Sequence, residues 1–253
     1  MRKIFCFLKS CHLHFNWAIT ILAVAVLLKL GFDITHIRQN QTTQLIKQER
    51  TFQFFYSSFN MDLIKQRYVL FMRDKIIERW ENLKKYNPKI SIDHEKAYRI
   101  AEINYREHMK YPYLKDPLFL LALQRIESNF GVDSISPMGA KGLNQVMEYT
   151  AKLVCPLVGL TYSDSLLFDL DANTRIAAKV LEVLYSVYPD YELILVGYNG
   201  GGKQIYYYKK ANDSLALETK IYIPNVLAQW KIYEKEFPFY KADSLAIKDI
   251  MNN

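Results

Sequence analysis

Apolar residues recur at helical spacing along most of this chain, and the segments they mark differ in what ends them. From Thr42 to Leu83 the pattern predicts a long amphipathic helix. Val69, Met72, Ile76, Trp80 and Leu83 form its stripe, while Arg73, Lys75, Glu78, Arg79 and Glu81 lie largely off it. Tyr86-Asn87-Pro88 breaks that helix. Ser91 or Asp93 then offers an N-cap for a helix through about Lys110, and Asp116-Pro117 opens the next, with proline in its preferred first position. There Phe119, Leu120, Leu123, Ile126 and Phe130 share one face, and Gly131 ends the run. Further helices are predicted over Glu148–Leu153, Asn173–Tyr188, Tyr191–Tyr198 and Thr219–Glu236. The Asn173 helix has the stripe Ile176, Val180, Leu184 and Val187, and Pro224 falls inside the last helix, which must kink or begin there. One short strand-like stretch, Ile135 to Val146, lies among the turn formers Ser134, Ser136, Pro137, Gly139 and Gly142 and predicts a small β-hairpin. The fold class is α, with that hairpin as its minimal β component.

Residues 15–32 are of another kind. Trp17 to Leu28 carries no charge and is mostly branched-aliphatic or Ala, and Lys29 is the one charge before Phe32. As a helix, such a span reaches about 27 Å, close to the ~30 Å of a hydrocarbon core. Lys29 can snorkel to one interface and Trp17 suits the other. Arg2, Lys3 and Lys9 precede the span, which places the N-terminus in the cytoplasm and exports the chain beyond Phe32. A cleaved signal peptide is the competing reading, but no small-x-small site follows Leu30, where the chain reads Gly-Phe-Asp-Ile. The expectation is an uncleaved, single-pass anchor in the inner membrane with the remainder in the periplasm.

Composition narrows the function classes. Half of the 253 residues are hydrophobic and 14% are aromatic, enough for a proper core. The formal charge is +7, yet Arg2, Lys3, Lys9 and Lys29 stand in the acid-free first thirty residues, so the rest is too weakly basic to argue for nucleic acid. No phosphate-binding loop of the GxxxxGK[ST] kind is present, since Gln204 follows Gly202-Lys203 where that motif needs Ser or Thr. Cys6 and Cys11 precede the anchor, which leaves Cys155 alone outside and excludes an intradomain disulfide there. No metal or cofactor is expected.

Glu127 is the candidate for chemistry. It follows Leu123 by four residues and Leu120 by seven, which puts it at the edge of the apolar face. Lost hydration there raises a carboxyl pKa and keeps a proton available near neutral pH. The plain alternative is a glutamate that only flanks a core helix.

The motifs around it resemble the lytic transglycosylase SLT domain family. They are Glu127-Ser128, then Ser136-Pro137-x-Gly139-Ala140-x-Gly142-Leu143-x-Gln145 and Thr150-Ala151, then Tyr198-Asn199-Gly200-Gly201, and finally Glu218-Thr219-x-x-Tyr222. The likeness runs from about Ile92 to Tyr240 and implies a goose-type lysozyme-like fold acting on peptidoglycan glycan strands. It implies further that Glu127 protonates the oxygen between MurNAc and GlcNAc, then as a base accepts the proton of the MurNAc C6 hydroxyl as that group attacks C1. The product is a 1,6-anhydro end, and one carboxylate suffices. By the same resemblance Ser136 and Gln145 line the sugar subsites, Tyr198 orients Glu127, Asn199 follows it in its motif, and Glu218 stands near the cleft or in a structural ion pair. The sequence departs from the family pattern at Asn144, where Met is usual, and in the glycines after Asn199. If Asn144 merely varies a subsite, Asn144→Met should fold at least as well.

The implied organisation is a cytoplasmic tail (1–14), the anchor (15–32), a helical stalk or clamp (33–91), the SLT catalytic domain (92–240) and a C-terminal tail (241–253). Two other readings stand beside the lytic enzyme. One is a lysozyme-like hydrolase with Asp133 or another acid holding a water. The other is a non-catalytic wall-binding protein whose anchor and amphipathic segment recruit envelope machinery.

Overall fold

A computed structural model of the chain describes residues 61–251 apart from 112, 113, 115 and 211–213, together with the isolated positions 29, 39, 43, 44 and 47. The chain divides into two compact units, 1–60 and 61–253. In the first, Lys29, Gln39, Thr43, Gln44 and Lys47 are helical, and Thr43 Oγ1 donates to the Gln39 carbonyl at 2.8 Å. The predicted anchor, residues 15–32, lies outside the described residues but for Lys29. Among the described residues no helix is long and apolar enough to cross a membrane.

The second unit is mostly helical. Its elements are α1 (61–84), α2 (His94–Lys110), α3 (Pro117–Glu127), α4 (Glu148–Val154), two 3₁₀ turns (Cys155–Val158 and Asp164–Phe168), α5 (Leu170–Val187), α6 (Tyr191–Lys209), α7 (Leu217–Glu236) and α8 (Tyr240–Met251). α3 lies at the centre. Every residue from Leu118 to Gln124 is buried, so the helix is covered all round rather than on one face, as its nearly unbroken apolar run requires. The α1 residues Val69, Met72, Ile76 and Trp80 share this main core with α3, α6 and α7, while Leu167, Ile176 and Ala177 pack with α4 in a second cluster.

The caps match the sequence closely. Asp93 opens α2 by accepting from Lys96 N at 2.8 Å. Asp116 opens α3 from a buried position, accepting from Leu118 N at 2.8 Å, from Trp230 Nε1 at 3.1 Å and from Tyr240 OH at 2.9 Å. That carboxylate therefore joins α3 to α7 and α8. Burial pushes its pKa up to about 6, opposed by the Tyr240 and Trp230 bonds.

Several expectations change. Residues 135–146 do not form a strand ladder; among the described residues there is none. The segment makes two isolated antiparallel bridges, Ile135 with Lys141 and Lys141 with Val146. Gly139, Gly142 and Gln145 all have positive φ, and a left-handed residue at every third position breaks any extended run into tight turns. α6 does not stop near Tyr198 but continues to Lys209 across a break at Gly201 (φ 70°, ψ −172°). α7 begins before Pro224 and runs through it. Val187 is exposed rather than part of a buried stripe on α5. Residues beyond Tyr240 form α8, held to α1 by Arg67–Asp243 at 2.9 Å.

Candidate active site

Glu127 is the last residue of α3, and the way the helix ends decides where its side chain can act. Asn129 (φ 52°) and Phe130 (φ 65°) both adopt the left-handed conformation that non-glycine residues rarely take. Two interactions hold this costly turn. Phe130 is buried in the core, and Asn129 Oδ1 accepts from Arg79 Nη2 at 2.8 Å and from Arg125. Ser128 Oγ then donates to the Leu143 carbonyl at 2.7 Å, tying the helix end to the glycine-rich turns.

The partly buried Glu127 carboxyl faces helices from the C-terminal half of the chain. Tyr222 OH, on α7, donates to Glu127 Oε1 at 2.5 Å. Burial pushes the carboxyl pKa up to about 7; the Tyr222 bond works against this, and the charge of Glu218 adds to it. The Tyr198 and Tyr222 hydroxyls are both raised well above their ordinary value, first by burial and then by the Glu127 charge. The result is a carboxyl group poised to exchange a proton near neutrality, bonded to one phenol and within electrostatic reach of a second, both of which stay protonated.

Of the residues picked out from sequence, the structure brings Tyr198 and the exposed Glu218 within electrostatic reach of Glu127. Ser136, Gln145 and Asn199 each make hydrogen bonds within the fold. Ser136 Oγ accepts from Ala140 N at 3.0 Å. Gln145 Nε2 donates to the Gly142 and Ser134 carbonyls at 2.8 and 3.2 Å, which leaves its amide oxygen as the atom it can offer. Asn199 Oδ1 accepts from Thr219 Oγ1 at 2.7 Å and so joins α6 to α7.

Tyr222 and Asn173 have contacts at the site but no role in the sequence reading, and Asn144 is met there only as a departure from the family pattern. Tyr222 closes a quoted motif, yet its contact with Glu127 depends on how α7 crosses the end of α3. Asn173 and Asn144 are buried and hydrogen-bonded to each other, with Asn173 Oδ1 taking both the main-chain N–H of Asn144, at 2.8 Å, and its Nδ2, at 3.0 Å. Asn144 thus does not face solvent: its side chain is fully buried and bonded to Gln124, Asn173 and Thr174. The one available signal was a polar residue where the family pattern has Met.

Residues 105–221 match the model of the transglycosylase SLT domain, a span that contains Glu127, Tyr198 and Glu218. Over that span the chain is similar to the SLT domain. No curated protein sequence matches the chain. Among solved structures, this chain is similar to the 70 kDa soluble lytic transglycosylase from Escherichia coli, at 22% identity and TM-score 0.46 over 57% of this chain and 27% of that one. A 70 kDa soluble lytic transglycosylase in complex with bulgecin A gives 23% identity and TM-score 0.48 over 57% and 26%. An inactive mutant of the lytic transglycosylase Slt from Pseudomonas aeruginosa gives 24% identity and TM-score 0.48 over 65% and 30%. The chain therefore spans under a third of the length of each of these proteins.

Proposed function

We propose that the SLT domain is a peptidoglycan lytic transglycosylase in which Glu127 acts first as acid and then as base. The observation that carries this reading is the Glu127 carboxyl itself, raised to about 7 by burial and held by Tyr222 at 2.5 Å. Half-protonated near neutrality, it can give a proton to the glycosidic oxygen and take one from the MurNAc C6 hydroxyl. Attack by that hydroxyl on C1 breaks the bond to GlcNAc and closes the 1,6-anhydro ring, with no water consumed. The nucleophile sits in the same sugar, so the second step is effectively intramolecular. Exposed Met138 and Tyr149, on the turns and on α4, offer apolar faces on which a glycan can lie.

One observation favours a second reading. Glu218 is the carboxylate whose charge raises the Glu127 pKa, and in a hydrolase it, rather than the Asp133 considered from sequence, is the group placed to activate a water. The full chain in detergent, incubated with purified peptidoglycan, separates the two by the mass of the released muropeptides. Anhydro ends, lighter than hydrolytic ends by one water, with loss in Glu127→Gln and retention in Glu218→Gln, are expected. Water-added products with comparable loss in both variants would overturn the lytic mechanism.

Residues 15–32 as an inner-membrane anchor, with the domain in the periplasm, complete the proposal. A reporter active only outside the cytoplasm, fused after Asn40, should be active, and the mature chain should retain its N-terminal tail. A mature start near residue 30 would remove the anchor.

A further inference from the structure

Behind Glu127 a chain of buried amides reaches Tyr198. Asn104 Nδ2 donates to Gln124 Oε1 at 2.7 Å, and Gln124 Nε2 returns a bond to Asn104 Oδ1 at 2.8 Å. Gln124 Nε2 also donates to Asn144 Oδ1 at 3.2 Å. Asn144 Nδ2 in turn donates to Asn173 Oδ1 and to Thr174 Oγ1, at 3.0 and 3.2 Å. Asn173 finishes the clamp: its Nδ2 donates to the Leu167 and Lys141 carbonyls at 2.8 and 3.1 Å. All five side chains are buried.

Buried amides are costly unless their bonds are made, and here every amide carries at least two. What the clamp holds is the main chain at Asn144, whose carbonyl accepts the Tyr198 hydroxyl at 2.8 Å. A phenol has one proton to donate. Committed to Asn144, Tyr198 cannot also donate to Glu127, and the bond to the carboxyl comes from Tyr222.

We propose that Asn144 and Asn173 are positioning residues for the acid: by fixing the Asn144 carbonyl they keep the Tyr198 proton off Glu127, which is left with one phenolic donor. The proposal rests on the reading of Glu127 as the acid. A second donated bond would favour the carboxylate and lower its affinity for the proton needed in the first step. The amide chain thereby sets the acid without touching sugar.

The test is the titration of Glu127 in the full chain, read from carboxyl ¹³C shifts and assigned by difference against Glu127→Gln. Tyr198→Phe should leave the midpoint in place, since no bond to Glu127 is lost. Asn144→Met should release the carbonyl, let the Tyr198 hydroxyl turn to Glu127 and bring the midpoint down by about one pH unit. The double variant Asn144→Met/Tyr198→Phe should return it. A rise in Tyr198→Phe would overturn the proposal, and so would an unmoved midpoint in folded Asn144→Met. If Asn144→Met does not fold, the Tyr198→Phe arm decides alone: an unmoved midpoint supports the proposal and a rise defeats it. The titration needs no substrate. A chain that shows these shifts yet releases nothing from peptidoglycan would keep the positioning role and lose the lytic function.

Discussion

The Tyr222 hydroxyl donates at 2.5 Å to Glu127 Oε1, joining residues 95 apart in the chain and fastening α7 to the end of α3. The contact has two consequences that pull apart. It orients the carboxyl, and it stabilises the charged form against the burial that favours the neutral one.

Tyr222→Phe should therefore raise the Glu127 pKa above about 7. One hydrogen bond to a charged group is worth about 1.5–3 kcal/mol, so a rise of about one to two pH units is expected. The high-pH limb of peptidoglycan cleavage should move up by the same amount. A limb that stays in place would mean that Tyr222 does not bond the carboxylate in solution.

Under the proposed lytic mechanism, Glu127→Gln should lower turnover about a hundredfold to ten-thousandfold, because both half-reactions would lose their proton carrier. It should also change stability in a way that depends on pH. The folded pKa of about 7 lies above the ordinary 4.5, so the folded chain holds this proton more tightly. The stability it contributes is fully present below 4.5 and is lost as pH rises through 7. At pH 8 the variant should be the more stable protein by on the order of 2–3 kcal/mol, and the gap should close below pH 5. Urea unfolding at both pH values reads the difference; a gap independent of pH would contradict the raised pKa.

Asp116→Ala should destabilise the second unit by about 2–4 kcal/mol, since it removes one N-cap and the acceptor of two side-chain donors. Asp116→Asn should cost less and should flatten the pH dependence. The aspartate's raised pKa, about 6 against 3.8, makes its contribution fade as pH rises through 6. Thermal unfolding of the three proteins at pH 5 and pH 8 is the measurement.

Gly142→Ala tests the close approach under the turns. Gly142 has φ +79°, and an added Cβ would lie 2.1 Å from the Leu167 carbonyl oxygen and 2.6 Å from Asn173 Nδ2. Backbone cannot yield cheaply there, so a loss of at least about 2 kcal/mol is expected in the urea midpoint. Gly139→Ala, whose added Cβ meets nothing within 4 Å, should cost only its own positive-φ strain.

Local sequence is sufficient for most of the helices, the helix start at Asp116, the all-apolar run that becomes the centre of the core, and Glu127 as the candidate for chemistry. A cap is read within three residues, and an apolar period within two turns. The motifs by which residues 105–221 resemble the SLT domain are equally local. Which phenol touches Glu127 is settled by packing alone, because Tyr222 and Tyr198 lie on different helices and either could have taken that place. Packing also settles that Asn144 is buried: its carboxamide is tolerated in the interior because Gln124, Asn173 and Thr174 reach it from two other segments. Likewise the strand-like run at 135–146 became turns, since its positive-φ positions and the Asn173 and Gln145 side-chain bonds together outweigh the weak pairing preference of so short a segment. Partners distant in the chain settle these points, and no local pattern of residues records them.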